Sequence, residues 1–254
     1  MPSWTWAAAS RRGTSHIKTE TPCQDAMRCF LVGNGEAAPF VALLCDGAGS
    51  ASKGGQGAAL IVRILSRLVR EHYDAQVELP TDADVTAWIE TARQKLFTLA
   101  ATRTIDAREF ACTLVFVVSD GSETLVAHVG DGAVVVRESA SEQWKAISWP
   151  AQGEYASTTF FVTEKPEPRI SITRHAANVD GLAAFTDGIE RLALDFANNV
   201  AHPPFFTGIF APVISSAASG RDDQLSSLLS IFLDSDAVNS RTDDDKTVLI
   251  AARK

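Results

Sequence analysis

Several residue types and patterns that mark large classes of protein are scarce in this chain. Its four cysteines include no CxxC pair, and no histidine stands at zinc-finger spacing, which excludes a structural zinc site. Lys and Arg number 23 against 31 Asp and Glu, and the net charge of −8 argues against a broad nucleic-acid or anionic-membrane surface. No apolar run reaches the length of a membrane span, and no signal-peptide pattern is present. We therefore expect reduced thiols and a cytoplasmic location, with neither nucleic acid nor membrane as a partner.

The chain also lacks a Pro-, Ser- or Gly-rich linker and any repeating sequence period. With 46% hydrophobic and 21% charged residues, it has enough apolar material for one large core and is too ordinary in composition to be disordered or fibrous. We interpret residues 1–254 as a single domain.

The hydrophobic period changes along the chain. Short apolar or alternating runs predict strands at first, and two amphipathic patterns between residues 58 and 99 then predict consecutive helices, the second capped by Asp82 or Asp84. From residue 111 the period of two returns, and helices are expected again at 205–217 and 224–232. This order favours an α+β fold of two antiparallel sheets packed face to face with helices outside, an α-β-β-α sandwich. Strands are predicted at 4–9, 27–32, 40–45, 112–118, 124–129, 133–137, 144–147, 158–162, 170–173, 182–185 and 247–251.

Aspartates stand at the end of an apolar strand, or in a turn beside one, at five places. Carboxylates at strand ends lie where the buried scaffold meets solvent, so several of them can converge on one point. Converging carboxylates repel each other and are driven to protonate unless a divalent cation compensates them. Hard ions such as Mg²⁺ and Mn²⁺ prefer carboxylate, carbonyl and water oxygens. The candidates are Asp25, Asp46, Asp131, Asp187 and the run 243–245.

A glycine follows three of these aspartates, namely Asp46, Asp131 and Asp187, and an apolar strand precedes each pair. The glycine allows a positive φ in a tight turn, or it lets a backbone carbonyl or a substrate approach closely. Asp-Gly is also the commonest kind of turn signal, and we assign Asp120-Gly121 to an ordinary hairpin. Composition and spacing alone therefore leave a metal site and a set of turns as open alternatives.

Six short motifs follow one another in a fixed order, and this ordered set resembles the motif series of the type 2C protein phosphatases. Each motif alone is weak, but six in the right order are a specific signal. A GTSH element at 13–16, CQDA at 23–26 and GEYAS at 153–157 make the chain similar to the compact bacterial serine/threonine branch of that family. The six are QDA at 24–26, LLCDGAGS at 43–50, ACTLVFVV at 111–118, VAHVGDGAVVV at 126–136, AAFTDGIER at 183–191 and DDKTVLIA at 244–251.

The resemblance implies a set of metal ligands, position by position. Asp46 would bridge two ions, and the carbonyl of Gly47 would bind one of them. Asp187 and Asp244 would complete the first site, and Asp25 would serve the second, directly or through water. The implied cofactors are two Mg²⁺ or Mn²⁺ ions that activate a water for in-line attack on a phosphoryl group.

Departures from the family's pattern include positions 191, 20 and 245. Asp131 matches a residue that in some members helps hold a third, weaker ion, but the other carboxylate of that site falls near Arg191, which cannot ligate. A full third site is therefore not expected. Glu20 stands where many members have the arginine that grips the substrate phosphate, and Asp245 stands where they usually have Asn.

Three residues of the opening segment are candidates to replace the missing arginine at the catalytic site. Arg11 or Arg12 would offer a planar fork for two phosphate oxygens in substrate binding. His16, in the GTSH element, would donate a proton to the leaving alkoxide or orient a water. A solvated loop position for the arginines, and a structural role for His16, are equally good interpretations.

Two hypotheses about function follow from the resemblance. The first is an enzyme that hydrolyses phosphoserine or phosphothreonine in proteins phosphorylated by a serine/threonine kinase. An activated water needs no phosphoenzyme, so Cys23 is not expected to be a nucleophile. The second is a catalytically weak member of the same fold that binds a phosphoprotein or a regulatory partner. The complete set of aspartates favours the enzyme.

Overall fold

The elements are taken from a computed structural model that describes residues 3–33, 38–151 and 159–254. The GEYAS segment at 153–157, including Tyr155, lies outside the described residues. The strands are β1 Trp4–Arg11, β2 Ala26–Leu31, β3 Phe40–Cys45, β4 Leu114–Ser119, β5 Thr124–Val129, β6 Ala133–Glu138, β7 Trp144–Ser148, β8 Ser171–His175, β9 Val179–Phe185, β10 Leu194–Asp195, β11 Val200–Ala201, β12 Gly220–Arg221 and β13 Lys246–Arg253. The helices are α1 Thr14–Lys18, α2 Gly54–Ala75, α3 Asp82–Thr102, α4 Asp187–Ala193, α5 Pro203–Ser215, α6 Asp223–Leu233 and α7 Asp236–Asn239, with a short 3₁₀ helix at Ala107–Phe110.

Two sheets form the middle of the molecule. One has the strand order β12-β1-β13-β9-β6-β7, and the other has the order β2-β3-β4-β5-β8. Every pairing in them is antiparallel except the two-residue pairing of β12 with β1. A separate two-stranded ribbon pairs β10 with β11.

Three apolar layers hold the sheets and helices together. Between the sheets, alternate residues of β1, β3 and β13 interdigitate, and the rings of Trp4 and Phe40 stack with their centroids 5.4 Å apart. Helices α2 and α3 cover the outer face of the five-stranded sheet. Helices α4, α5 and α6 cover the outer face of the six-stranded sheet. Successive side chains of a strand point to opposite faces, and β3 and β4 are buried at every position, so both faces of the sheet are apolar and helices are needed on the outer sides. The expected α-β-β-α sandwich is confirmed.

The cap of helix α3 differs from the prediction. The N-cap residue is Thr81, whose hydroxyl accepts from the backbone N–H of Asp84 at 3.2 Å. The Asp84 carboxylate accepts in turn from the Thr81 N–H at 2.9 Å, which completes a capping box. Asp82 is already the first helical residue. The assignment of Asp82 or Asp84 as the cap was therefore wrong by one residue or more, because the extended residue before the helix is the one whose side chain reaches the free amides.

Several other elements also differ from the sequence prediction, among them a predicted strand and helix α4. Within the described residues, 159–162 of the predicted strand 158–162 form no strand. Their polar groups have other partners: the Thr159 hydroxyl donates to Asp131, and the Val162 carbonyl accepts from Arg93. Helix α4 was not predicted, because seven residues are too few to display a helical period.

Strand pairing brings the aspartate-bearing strand ends to one edge of the sandwich. In the five-stranded sheet Ala26 pairs with Cys45, so the residues that flank them, Asp25 and Asp46, are neighbours. Asp131 lies in the turn that leads from β5 into β6.

The six-stranded sheet supplies the remaining aspartates at the same edge. Phe185, at the end of β9, pairs on one side with Ala133 and on the other with Val248. The turn before β6, the start of α4 after β9 and the start of β13 therefore lie side by side.

None of the helices in the described residues combines the length and the apolar composition that a membrane span needs.

Candidate metal centre

Three aspartates from different parts of the chain form the centre of the site. Asp46 follows β3, Asp131 lies between β5 and β6, and Asp187 is the first residue of α4. One carboxylate oxygen from each lies within 4.8 Å of the others. All three are among the aspartates predicted from the sequence. The resemblance implies only a peripheral role for Asp131, whereas in the structure its carboxylate oxygen belongs to this close group.

Asp25 lies directly beside this trio and is fixed by two threonines. Its Oδ2 accepts from the Thr247 hydroxyl at 2.5 Å and from the Thr186 hydroxyl at 2.9 Å. Thr186 also accepts at its hydroxyl from the Thr247 N–H, at 3.1 Å, so the two residues hold each other. This network leaves Oδ1 of Asp25, a buried atom, without a hydrogen-bond partner among the described residues.

The run of three aspartates at 243–245 divides into three different environments. Asp243 is exposed, and its carbonyl accepts from the N–H and the hydroxyl of Ser15. Asp244 is half-buried, and its charge acts on Asp46 and Asp187. Asp245 is buried, with 1% of its surface exposed, and points away from solvent into the opening segment. This arrangement supports Asp244 as the residue of the run that faces the trio.

The carboxylates of the site cannot all be ionised without a compensating charge. Burial, and then repulsion from Asp25 and Asp187, raises the pKa of Asp46 well above its usual value. Burial followed by repulsion from Asp131 and Asp244 raises the pKa of Asp187 to about 8. Burial raises the pKa of Asp25 to about 7, although its threonine hydrogen bonds oppose the shift. A cation bound among these oxygens would offset both the burial of the carboxylates and the repulsion between them.

The donor set fits hard divalent ions. Buried oxygens without a hydrogen-bond partner among the described residues include Oδ1 of Asp25, Oδ1 of Asp131 and Oε1 of Gln24. Buried polar atoms are normally satisfied, so the two unpartnered carboxylate oxygens, which belong to residues of one cluster, indicate a ligand. Carboxylate and amide oxygens are the donors that Mg²⁺ and Mn²⁺ prefer.

The glycines that follow the aspartates serve different purposes. At Gly47 a Cβ would lie 2.4 Å from the backbone of Gly54, so glycine is required by the close approach of helix α2. Gly132 has φ +88°, and a Cβ there would lie 2.5 Å from the Phe185 carbonyl oxygen. Close approach of another backbone segment therefore explains the glycine at 47, and a positive φ explains the glycine at 132.

A buried histidine supports the turn that carries Asp131. Nε2 of His128 lies 2.9 Å from the Asp131 carbonyl oxygen, which can only accept, so Nε2 carries the proton. Nδ1 then accepts from the Ser148 hydroxyl at 2.8 Å. Burial lowers the pKa of His128, which keeps the ring neutral. His128 is a satisfied sheet residue, as its alternating position in the strand predicts, and it also orients a site residue.

Asp245 fastens the opening segment to the start of β13. Oδ1 accepts from the Gly13 N–H and Oδ2 accepts from the Gln24 N–H, both at 2.6 Å. Nδ1 of His16 lies 2.9 Å from Oδ2, which is ion-pair distance, but the ring is not aligned for a hydrogen bond. The Gln24 carbonyl accepts in turn from the Gly47 N–H at 3.2 Å. Asp245 thus connects the GTSH and CQDA elements to the residue after Asp46.

The two candidate phosphate arginines lie in different surroundings. Arg11 donates from Nε to the Ser230 carbonyl at 3.3 Å, and its guanidinium is 3.6 Å from the Asp234 carboxylate. Both partners belong to α6 or its end, outside the aspartate cluster, so these contacts do not support Arg11 as a phosphate ligand. Arg12 is exposed and makes one long contact, 3.5 Å, to the Thr21 carbonyl.

Burial makes a nucleophilic role for the nearby cysteine unfavourable, as expected from the sequence. It raises the pKa of Cys23 to about 11, with repulsion from Asp25 and Asp245 adding to the shift, so the thiol stays protonated near neutral pH.

Several residues that shape the site were not identified from sequence. Thr186 stands directly before the Asp187-Gly188 pair, and Thr247 stands directly after the Asp-Asp-Lys run. A threonine close to a motif aspartate was therefore the signal that could have identified these two residues. Glu190 had no such signal. Its Oε1 accepts from the Gly132 N–H at 2.8 Å, and burial raises its pKa to about 7.

Comparison with known proteins agrees with the geometry. The profile of the protein phosphatase 2C family matches residues 12–230. Serine/threonine-protein phosphatase 3 of Escherichia coli (strain K12) is 38% identical over 251 residues, which is 98% of each chain. The catalytic domain of the serine/threonine protein phosphatase PstP, crystallised with two manganese ions, has a TM-score of 0.68 at 16% identity and covers 100% of this chain and 99% of its own. The serine/threonine phosphatase Stp1 from Staphylococcus aureus has a TM-score of 0.63 at 17% identity, covering 97% and 94%. With a family match across most of its length and an aspartate cluster at the matching motifs, the chain belongs to the protein phosphatase 2C family.

Proposed function

We propose that this protein is a metal-dependent phosphatase that removes phosphate from phosphoserine and phosphothreonine in proteins. The observation that carries the proposal is the convergence of Asp46, Asp131 and Asp187, with one oxygen from each within 4.8 Å of the others. The relative at 38% identity is named a serine/threonine-protein phosphatase, which supports the choice of substrate class.

We propose the set of metal ligands that the family resemblance implies, on carboxylates that lie in or near the trio. Asp46, Asp187 and Asp244, with the Gly47 carbonyl, would hold one Mg²⁺ or Mn²⁺ ion. Asp46 would be shared with a second ion on the side of Asp25. Asp131, the third member of the close trio, would contribute to either site or to a weaker third one. When bound, two such ions would supply a water of lowered pKa and neutralise charge on the phosphoryl group.

The chain's own residues would orient the reactants and handle the proton. Oε1 of Gln24 is buried beside Asp25 and has no partner among the described residues, so it would accept a hydrogen bond from the attacking water. Because Nδ1 of His16 faces Asp245, Nε2 is the nitrogen left to deliver a proton to the serine or threonine alkoxide as it leaves. Arg12 remains the opening-segment candidate for contact with the phosphate oxygens.

The physiological setting is inferred from the same chemistry. The substrates would be proteins phosphorylated by a serine/threonine kinase, and residues 1–254 would act as one catalytic domain. The four cysteines are all free thiols. A cytoplasmic location, where thiols stay reduced, agrees with this state.

One assay tests the proposal. The purified protein should hydrolyse p-nitrophenyl phosphate and a phosphoserine peptide when Mn²⁺ is present, and EDTA should stop both reactions. The Asp46→Asn variant should be inactive, whereas Asp243→Asn, a matched change at an exposed aspartate, should keep its activity. A folded protein without metal-dependent turnover on either substrate would contradict the proposal and favour a phosphoprotein-binding module of the same fold.

A further inference from the structure

A polar pocket lies next to the aspartate trio and is not explained by hydrolysis alone. Its volume is about 420 Å³, and it is formed between helix α4 and the segment that follows α7. Asp187 and Asp244 form its wall on the side of the metal centre. Neither Asp46 nor Asp131 lines it. The pocket is therefore adjacent to the reacting centre but is not the place where the scissile phosphate meets the whole trio.

Two arginines line this pocket, one beside each aspartate of its wall. Arg191 stands four residues after Asp187 on α4, and residues at that spacing share a helix face. Arg241 stands three residues before Asp244, in the loop that enters β13. Both side chains are exposed. Among the described residues neither forms an ion pair, whereas Arg174, another arginine of the surface, forms two.

The remaining carboxylates of the pocket leave these arginines available. Asp187 and Asp244 are compensated when divalent ions are bound. One oxygen of Glu190 accepts from the Gly132 N–H, and its carboxylate interacts electrostatically with Arg191 without forming an ion pair. The exposed Asp243 is the other carboxylate of the lining, and it forms no ion pair with either arginine. In the metal-loaded protein the pocket therefore attracts anions, and a guanidinium fork binds carboxylate or phosphate oxygens in pairs.

We propose that Arg191 and Arg241 form a recognition site for a second anionic group on the substrate, next to the phosphorylated residue. This inference rests on the proposed phosphatase function and deepens it by naming a substrate class: phosphoproteins with an acidic side chain or a second phosphate close to the scissile one. Because the pocket shares Asp187 and Asp244 with the metal centre, and an extended chain advances only about 3.3–3.6 Å per residue, we place the second group one or two residues from the phosphoserine.

The test compares peptides that differ at one position. Three phosphoserine peptides carry Ala, Asp or a second phosphoserine beside the scissile residue, and p-nitrophenyl phosphate serves as a substrate without flanks. Wild-type kcat/KM should be roughly 3- to 10-fold higher for the Asp peptide than for the Ala peptide, the range for one or two partly exposed ion pairs. The gain should lie in KM, because the interaction is the same in the ground and transition states. It should shrink as NaCl rises.

Substitution of the two arginines should remove the preference. In Arg191→Gln/Arg241→Gln the ratio of Asp to Ala peptide should fall to about 1, while p-nitrophenyl phosphate turnover changes by less than about twofold. The matched control is Arg63→Gln, which removes one positive charge from an exposed position on α2 and should keep the wild-type preference. A larger gain for the second phosphoserine than for Asp would identify a phosphate as the preferred group, and the reverse would identify a carboxylate.

Two outcomes would overturn the inference. If the double variant loses activity equally on all four substrates, the arginines serve the scissile phosphate or the integrity of the site. If wild-type protein hydrolyses the Ala, Asp and second-phosphoserine peptides at equal kcat/KM, the pocket does not recognise a second anion. In either case metal-dependent turnover of the Ala peptide by wild-type protein still supports the proposed function, so the two failures are distinguishable.

Discussion

Asp245→Asn is the substitution for which the structure gives the sharpest expectation. The resembled family usually has Asn at this position, so the change is mild by that standard. In this chain both carboxylate oxygens accept a backbone N–H, from Gly13 and from Gln24, at 2.6 Å each. A carboxamide has one acceptor oxygen and one NH₂ group. One of the two backbone donors would therefore face another donor in a buried place.

The size of the effect can be estimated from these two hydrogen bonds. Losing one hydrogen bond to a charged acceptor costs roughly 1.5–3 kcal/mol, and leaving a buried N–H without an acceptor costs about 1–3 kcal/mol. The two costs are not added, because both describe the same backbone N–H. Asp245 also repels Asp25 and helps to raise its pKa, so removing the charge offsets part of the loss. We expect the free energy of unfolding to fall by about 1–2 kcal/mol.

Urea unfolding in EDTA measures this loss without a contribution from bound metal. The midpoint should shift and the m-value should not. Asp243→Asn removes the same charge two residues away, where the side chain is exposed, and should change stability by less than about 0.5 kcal/mol. Activity of Asp245→Asn should fall by about 10- to 100-fold, because Gln24 would no longer position Gly47. Equal stability of the two variants would refute the assignment of Asp245 as the anchor of the opening segment.

Three further predictions concern the aspartate cluster and His16. Asp46→Ala should lose more than about 100-fold in kcat, since the ions contribute several kcal/mol to transition-state stabilisation, while its metal-free form melts at a higher temperature than wild type because repulsion is relieved; near wild-type turnover in saturating Mn²⁺ would contradict this. In metal-free protein the pKa of Asp25 is about 7 and that of Asp187 about 8, above the ordinary value near 4, so the native state keeps protons that the unfolded chain has released. Stability measured by urea in EDTA should therefore fall as pH rises from about 4 to about 8, and Mn²⁺ should raise the melting temperature more at the upper end of that range; a midpoint that climbs with pH would exclude the mechanism. His16→Ala should lower kcat by about 100-fold on a phosphoserine peptide but much less on p-nitrophenyl phosphate, whose leaving group needs little protonation. Equal losses on both substrates would indicate positioning in place of proton donation.

The pattern of elements was largely predictable, and the reasons for the exceptions are local. The predicted and observed bounds of β3 and β5 agree because short apolar runs ended by turn residues have few alternatives. Helix α4 and the cap Thr81 were missed, since a seven-residue helix shows no period and several polar residues compete for a cap. Residues 159–162 look like a strand by composition, but Thr159 and Val162 bond to side chains from elsewhere in the chain.

The sequence by itself determined the layered fold and the aspartates that we propose as metal ligands. A period of two specifies which face of each strand is buried, and an aspartate directly after such a run must stand at the boundary of the core. The ordered motifs then indicated the family. These are properties of a residue and its near neighbours along the chain, so they can be read without the fold.

Only the tertiary structure decided how the selected aspartates divide their roles. Asp131 joins Asp46 and Asp187 in the closest group, although its motif suggested a peripheral place. Asp245 differs from its two neighbours because Gly13 and Gln24, more than 220 residues earlier in the chain, donate to it. Such contacts depend on strand register and on the direction of each side chain after its strand ends. Neither quantity is encoded in spacing, because both are set by packing between segments that meet only in the folded protein.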